Sequence, residues 1–403
     1  MDFLKINKMK KLYLFCFFVL LFCTKNDSSK ISNESKDAVF IEDQNFRSIL
    51  LVEDHVFEST EDIFISRMGD YAVDDSNRIF ITDKAWGNRA LHMFGWEGKY
   101  LGKFFGEGKG PGEFLDVSNL QIHKDLIIFY DAELFRLSEF SISNMKLEKT
   151  FRFDPSIWSN IPEIRGYMPV QFHTYSDGTY LVGFEITPNP STSGKRVTKF
   201  YHLDKSLKLN PTKILEFDSK KHIWATNEII LGETKILPMK TFSFFKKTII
   251  DILSNNNIVV VETDRLTIKY YSRDGDSLSQ VFYNFNTPSV TRQDALDEAT
   301  NLTKTIAEGT DLPTNWPVIN QLIVDDKDNM WVSTFSNSKD SLKWIVFDQN
   351  GEIIGDFMWP GKMTSYPFEP ESKKVIKNGY FYELKEDIVN FDKKIVRYKI
   401  FFK

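Results

Sequence analysis

From residue 46 onward the chain is built of short runs in which apolar and polar residues alternate, each run closed by Asp, Asn or Gly. A period of two lays one face of an extended strand on a core, and Asn, Asp and Gly tolerate the positive φ of tight hairpin turns. The clearest unit begins at Tyr71. Ala72 to Asp83 reads as strand, turn (Asp74-Asp75-Ser76-Asn77) and strand, and Leu91 to Phe94 and Tyr100 to Phe105 then flank the turn Gly95-Trp96-Glu97-Gly98. The same order returns in Leu322 to Ser333, around Asp325-Asp326-Lys327-Asp328-Asn329, and in Trp344 to Phe357, around Asp348-Gln349-Asn350-Gly351. Two hairpins in series make a four-stranded antiparallel unit, and a unit repeated along the chain predicts a radial array.

Four looser units complete the series: Val117 to Phe151, Phe172 to Phe217, Ile249 to Asp276, and Lys374 to Phe402. The last is one strand short. Phe46 to Val52 supplies a candidate, pairing beside Ile395 to Phe402, because an open blade edge leaves N–H and C=O groups unpaired. The pattern predicts an all-β, six-bladed β-propeller over residues 46–403, closed by an N-terminal strand; a seventh blade would require splitting a unit that has no extra turn.

Between Asn286 and Trp316 the alternation lapses and a helical insertion is predicted at about 288–310, between blades four and five. Thr291 and Asp294 form a capping box, Ala295, Ala299, Leu302 and Ile306 an apolar stripe, and Gly309 a stop. A packing plug is the reading preferred over a lid, since the stripe must be buried. The aromatic loop Trp224, Phe242, Phe244 and Phe245, just before blade four, is expected on the same face.

The first residues change the picture of where the protein resides. Lys8, Lys10 and Lys11 precede an apolar run from Leu12 to Phe22, the form of a signal peptide over residues 1–22. At 1.5 Å per residue that run spans about 17 Å, short of the roughly 30 Å hydrocarbon core of a bilayer. Leu20-Leu21-Phe22-Cys23 resembles a bacterial lipobox, although Phe22 stands where a small residue is usual. The resemblance implies lipid attachment at Cys23, and more than one acyl chain makes such anchoring stable. The alternative is an ordinary secretory signal in which Cys23 is incidental. Polar residues then dominate to Asp37, so residues 23–45 read as the lipidated cysteine and a flexible tether.

Removing residues 1–22 moves the formal charge from −5 to −8. An acidic domain without a basic stretch excludes nucleic acid as an expected partner. Both cysteines, Cys16 and Cys23, precede the folded region, which therefore has no disulfide or thiol chemistry.

Gly106-Glu107-Gly108-Lys109-Gly110-Pro111-Gly112-Glu113-Phe114, together with Pro313, Pro317 and Trp331 and the closing Ile395 to Ile400, resembles the six-bladed propeller lipoproteins of Bacteroidetes type, relatives of NHL-repeat and TolB-like propellers. The resemblance implies the fold and a cell-envelope location, and it carries no single activity.

Catalytic patterns are missing from the sequence. The glycine run meets Pro111 and a strand rather than a helix, so it reads as a blade-to-blade turn and not a phosphate cradle. The acidic turns run straight into strands, unlike calcium loops. His55, His92, His123, His173, His202 and His222 show no zinc spacing, and no Gly-x-Ser-x-Gly elbow occurs. No metal, cofactor or catalytic residue is assigned. The expected function is a membrane-anchored, non-catalytic binding or scaffold module with a protein, small-molecule or carbohydrate ligand. The alternative, carried by fold analogy alone, is a calcium-dependent lactonase-like hydrolase or lyase, which needs three or more Asp, Asn or Glu groups converging in the channel.

Overall fold

The computed structural model describes residues 46–59, 63–190, 196–338, 340–363, 373–386 and 393–403. The signal peptide expected at residues 1–22, and Cys23 with the tether expected to residue 45, lie outside the described residues. Six four-stranded antiparallel sheets follow one another along the chain. Blade one comprises Met68–Val73, Ile79–Asp83, Ala90–Phe94 and Tyr100–Gly106, and blades two to five span 118–152, 167–218, 248–283 and 319–360. Blade six takes Lys374–Lys377, Tyr380–Glu386 and Lys393–Phe402 from the C-terminal end and Ile49–Phe57 from the other. The closing ladder sets Leu50 opposite Phe401 and Glu53 opposite Tyr398.

The polar punctuation acts through one recurrent turn. In blade one Asn77 N donates to Asp74 O at 3.0 Å and Asp74 N to Arg78 O at 3.1 Å; in blade five Asp328 N donates to Asp325 O at 3.1 Å and Asp325 N to Asn329 O at 2.9 Å. The fourth residue sits in the left-handed region, at φ 59° for Asn77, 69° for Asn256 and 62° for Asp328. Asn and Asp accept that conformation at the lowest cost after glycine, so the turn chemistry sets the hairpin register.

Aromatic side chains fill the space between blades. Phe105 of blade one stacks on Phe140 of blade two at 4.0 Å between ring centres, and Trp158, Trp331 and Trp344 are fully buried. Trp86 and Phe64 are the contrary cases, 83% and 72% exposed. On the inner strands, polar side chains tie neighbouring blades together. Asp70 of blade one accepts from Leu120 N of blade two at 3.1 Å and pairs with Lys373. Gln121 donates to Phe172 O of blade three at 2.6 Å, and Asp251 of blade four accepts from Val324 N of blade five at 3.3 Å.

The insertion between blades four and five is helical but is not one helix. Arg292–Asp297 begins at the expected capping box, with Thr291 as N-cap and Asp294 answering it, and Lys304–Gly309 follows after a break. Thr300 N donates to Thr303 Oγ1 at 3.0 Å, and Thr303 N to Thr300 O, also at 3.0 Å. Short polar side chains compete for backbone groups in this way and end helices. Leu302 is therefore 42% exposed instead of joining the stripe, while Ala295 and Ile306 are buried. Gly309 ends the second helix without a left-handed φ, and Thr310 is the C-cap.

The glycine-rich run is a connection between blades one and two. Phe114 N donates to Gly106 O, Gly110 N donates to the Glu113 carboxylate at 2.8 Å, and Phe114 is buried in the inter-blade core.

Candidate functional site

The repeat is interrupted a second time between the outer strand of blade three, Leu209–Asp218, and the inner strand of blade four, Thr248–Ile252. This segment and the helical insertion both link an outer strand to the next inner strand, so antiparallel blades deliver them to the same face of the propeller. The segment rises as Ile223–Trp224 and returns as Met239–Lys240, the two paired antiparallel, with Ile229–Leu231 and Thr234–Ile236 extending the arm. The returning limb then turns inward. Phe242 and Phe244 are buried and stacked at 4.8 Å, and Phe244 packs edge-on against Trp316 at 5.9 Å. Ala295, Ile306 and Ala307 of the helical insertion belong to the same cluster, so the expected packing plug is formed jointly by both insertions.

Of the four aromatic residues expected on this face, Phe242 and Phe244 are core, whereas Trp224 and Phe245 line a cavity of about 490 Å³ between blades three and four. Phe217 and Pro188 complete its apolar walls. A smaller cavity of about 170 Å³ lies inward, reaching Val170, Gln171 and Ile250, and shares Phe217, Asp218, Ser219 and Thr248 with the first. Thr248 Oγ1 donates to Asp218 O at 3.5 Å and bridges the two blades at the cavity floor.

The rim is cationic. Arg196, Lys220, Lys221, Lys246 and Lys247 all line the large cavity. Its three carboxylates each have a lysine partner: Glu216 with Lys213 at 2.7 Å, Asp218 with Lys246 at 3.9 Å, and Glu262 with Lys269. Lys221 Nζ lies 4.6 Å from the centre of the Phe245 ring. Burial, reinforced by Arg196 and Lys220, holds His222 below its ordinary pKa, so its ring is neutral at pH 7. Its Nδ1 shares a hydrogen bond with Thr241, and Ser219 Oγ shares one with Thr198 at 2.9 Å. These groups hold the walls in place.

Arg196 and the two lysine pairs escaped the sequence reading. Lys220-Lys221 and Lys246-Lys247 bracket the break in the repeat, and that bracketing is the signal that could have found them. Elsewhere, the acidic turns spend their carboxylates locally: Asp74 accepts from Ser76 N and Arg78 N, and Asp325 from Lys327 N and Asn329 N. Among the described residues no group of three or more His, Cys, Asp or Glu side chains is placed to hold a metal ion.

One buried ion pair joins the two insertions. Glu298 has no exposed surface, accepts from Ser243 N at 3.0 Å and lies 3.9 Å from Lys240 Nζ. Burial pushes the Glu298 carboxyl from 4.5 up to about 7 and lowers Lys240, so desolvation outweighs the attraction within the pair. A carboxyl that binds its proton more tightly when folded loses stability as pH climbs between its unfolded and folded values. The unfolding free energy of the wild type relative to Glu298→Gln is therefore expected to fall between pH 4.5 and about 7, by up to about 3 kcal/mol. Urea denaturation at stepped pH measures this. Asp251, raised to about 6 by burial, cancels in the comparison. A difference independent of pH would show that Glu298 titrates normally.

Residues 23–299 match the family described as 6-bladed beta-propeller, DUF5128. No curated protein matches the chain in sequence. Among solved structures, a member of the DUF4221 family from Bacteroides vulgatus is 12% identical with a TM-score of 0.52, over 89% of this chain and 100% of that one. A protein of Bacteroides fragilis described as exported is 12% identical with a TM-score of 0.48, over 89% of this chain and 96% of that one. At such identity the likeness to the Bacteroides vulgatus structure shows the fold alone and brings no ligand with it.

Proposed function

This chain belongs to the six-bladed β-propeller family DUF5128, and from that premise and the cleft between blades three and four we propose that it is a non-catalytic binding module of the bacterial cell envelope. The observation that carries the proposal is the cavity of about 490 Å³, walled by Trp224, Phe217 and Phe245 and rimmed by cations. A cleft of several hundred Å³ with apolar walls and a few fixed polar groups suits a small molecule. The described residues around it supply binding groups, and the hydroxyls of Ser219 and Thr241 are taken up by Thr198 and His222.

Filling the cleft tests this. Ligands from a panel of organic acids, saccharides and short peptides that raise the melting temperature of the wild type are expected to leave Thr248→Trp unchanged, since Thr248 lines both cavities. The bound compound is expected to be recovered chemically intact. Equal stabilisation of the filled variant would put binding elsewhere, and a transformed compound would end the non-catalytic reading.

Envelope residence rests on the sequence: the apolar run to Phe22 and the lipobox-like Leu20-Leu21-Phe22-Cys23. Lipid attached at Cys23 would hold the propeller to a membrane through the tether to residue 45. In a bacterial host, Cys23→Ser is expected to move the protein from the membrane pellet to the soluble fraction. Retention in the pellet would reject Cys23 as the anchor.

A further inference from the structure

Two residues lining the same cleft each carry a buried hydrogen-bond donor with no acceptor among the described residues. Arg196 is 8% exposed and lines the large cavity. Its guanidinium is held rigidly: Nη2 donates to Glu185 Oε2 at 2.9 Å and to Ile186 O at 2.8 Å, and Nη1 donates to Lys220 O at 3.4 Å. Among the described residues its Nε is buried without a partner, and the buried indole Nε1 of Trp224, on the arm lining the same cavity, is in the same condition. Buried N–H groups are normally paired, so two unpaired donors on one cavity mark where a ligand acceptor belongs.

We propose that the cleft takes a small organic anion with a flat apolar body, its carboxylate accepting from Arg196 Nε and Trp224 Nε1. This rests on the binding reading of the same cleft and deepens it. Charge favours an anion over a neutral acceptor. Glu185 offsets Arg196, but Lys220 and Lys221 stand at the same cavity, whose carboxylates are each matched by a lysine. The chain as a whole is acidic, at −5, so this rim is a local positive field that selects for charge. The rings of Trp224 and Phe245 favour a planar body over a flexible chain, because stacking needs a flat partner. The Arg196 guanidinium is fixed before binding, which lowers the ordering cost of recognition.

The probe is the fluorescent aromatic anion anilinonaphthalenesulfonate, titrated into the purified protein and displaced by naphthoate or by its neutral amide. Saturable binding is expected, with naphthoate displacing the probe at least about tenfold better than naphthamide. Trp224→Phe, which keeps a ring but removes the N–H, and Arg196→Lys, which keeps the charge but removes the fork, are each expected to weaken naphthoate about tenfold and to leave naphthamide within about threefold. Trp86→Ala, which alters an exposed ring outside the cleft, is expected to change neither. Equal displacement by acid and amide in the wild type, or unaltered naphthoate affinity in a folded Trp224→Phe, overturns the anion proposal while leaving an apolar binding cleft in place. Probe binding that neither compound displaces and that persists in Thr248→Trp overturns the cleft itself. Circular dichroism and melting temperature establish that each variant is folded, and Trp224→Phe stands alone if Arg196→Lys is not.

Discussion

A chain lacking residues 46–57 is expected to lose its single cooperative unfolding transition. The strand Ile49–Phe57 covers the outer edge of Lys393–Phe402 from Ile49 opposite Phe402 to Phe57 opposite Ile395. Its removal exposes that edge, takes the buried side chains of Phe57, 1% exposed, and Ile49, 4% exposed, out of the core, and takes Asp54 from Arg397, which is 3% exposed. Leaving a buried cation unpaired costs about 3–5 kcal/mol, and removing a buried Phe costs a similar amount. The total reaches the 5–15 kcal/mol that a domain typically holds. The same segment also binds its neighbours. Phe57 packs with Tyr71 and Phe94 of blade one and Tyr382 of blade six, and Asp356 N of blade five donates to Arg47 O at 3.0 Å. Closure therefore connects blades five, six and one, and its loss is felt around the ring. Urea denaturation followed by tryptophan fluorescence gives the midpoint and slope. An unchanged midpoint and slope would mean that the ring is stable open. Added peptide of sequence 46–57 is expected to restore part of the transition, because the missing strand makes its contacts non-covalently.

The ring was legible because its information is local. Each hairpin needs one residue with positive φ at a fixed place, and Asn77, Asn256 and Asp328 occupy that place in runs whose alternation is unmistakable. The terminal pairing was legible for a related reason: a unit ending at Phe402 without a fourth strand demanded one, and only Phe46 to Val52 was left over. The cleft was not legible, because its information is not local. Arg196 ends the loop between two strands of blade three, Trp224 sits on the arm, and Phe245 and Lys246 precede blade four. Nothing in their spacing says that they meet; only the docking of blade three against blade four brings them together. The break in the helical insertion fell between these extremes. A stripe at helical spacing was present, but Thr300 and Thr303 favoured each other and the backbone over the helix.

Asp325→Ala is expected to destabilise the protein by about 3–5 kcal/mol, more than the matching change in blade one. The carboxylate of Asp325 accepts from Lys327 N, Asn329 N, Asn329 Nδ2 and Trp331 Nε1, each at 2.9 Å. Trp331 is 1% exposed, so its indole N–H has no access to water once the carboxylate is gone. A buried donor left unsatisfied costs about 1–3 kcal/mol. Asp74 has the same role towards Ser76 N, Arg78 N and Arg78 Nε, but the Arg78 side chain is 34% exposed and can turn to solvent. Asp74→Ala is accordingly expected to cost about 1–2 kcal/mol, and Asp325→Asn, which keeps one acceptor oxygen, about the same. Urea midpoints measured with calcium and with a chelator separate this account from its rival. If the turn is held by its own N–H groups, calcium leaves every midpoint in place. A midpoint that rises with calcium in the wild type but not in Asp325→Ala would make the turn a cation site, and the hydrogen-bond explanation of the repeat would have to give way to one based on metal.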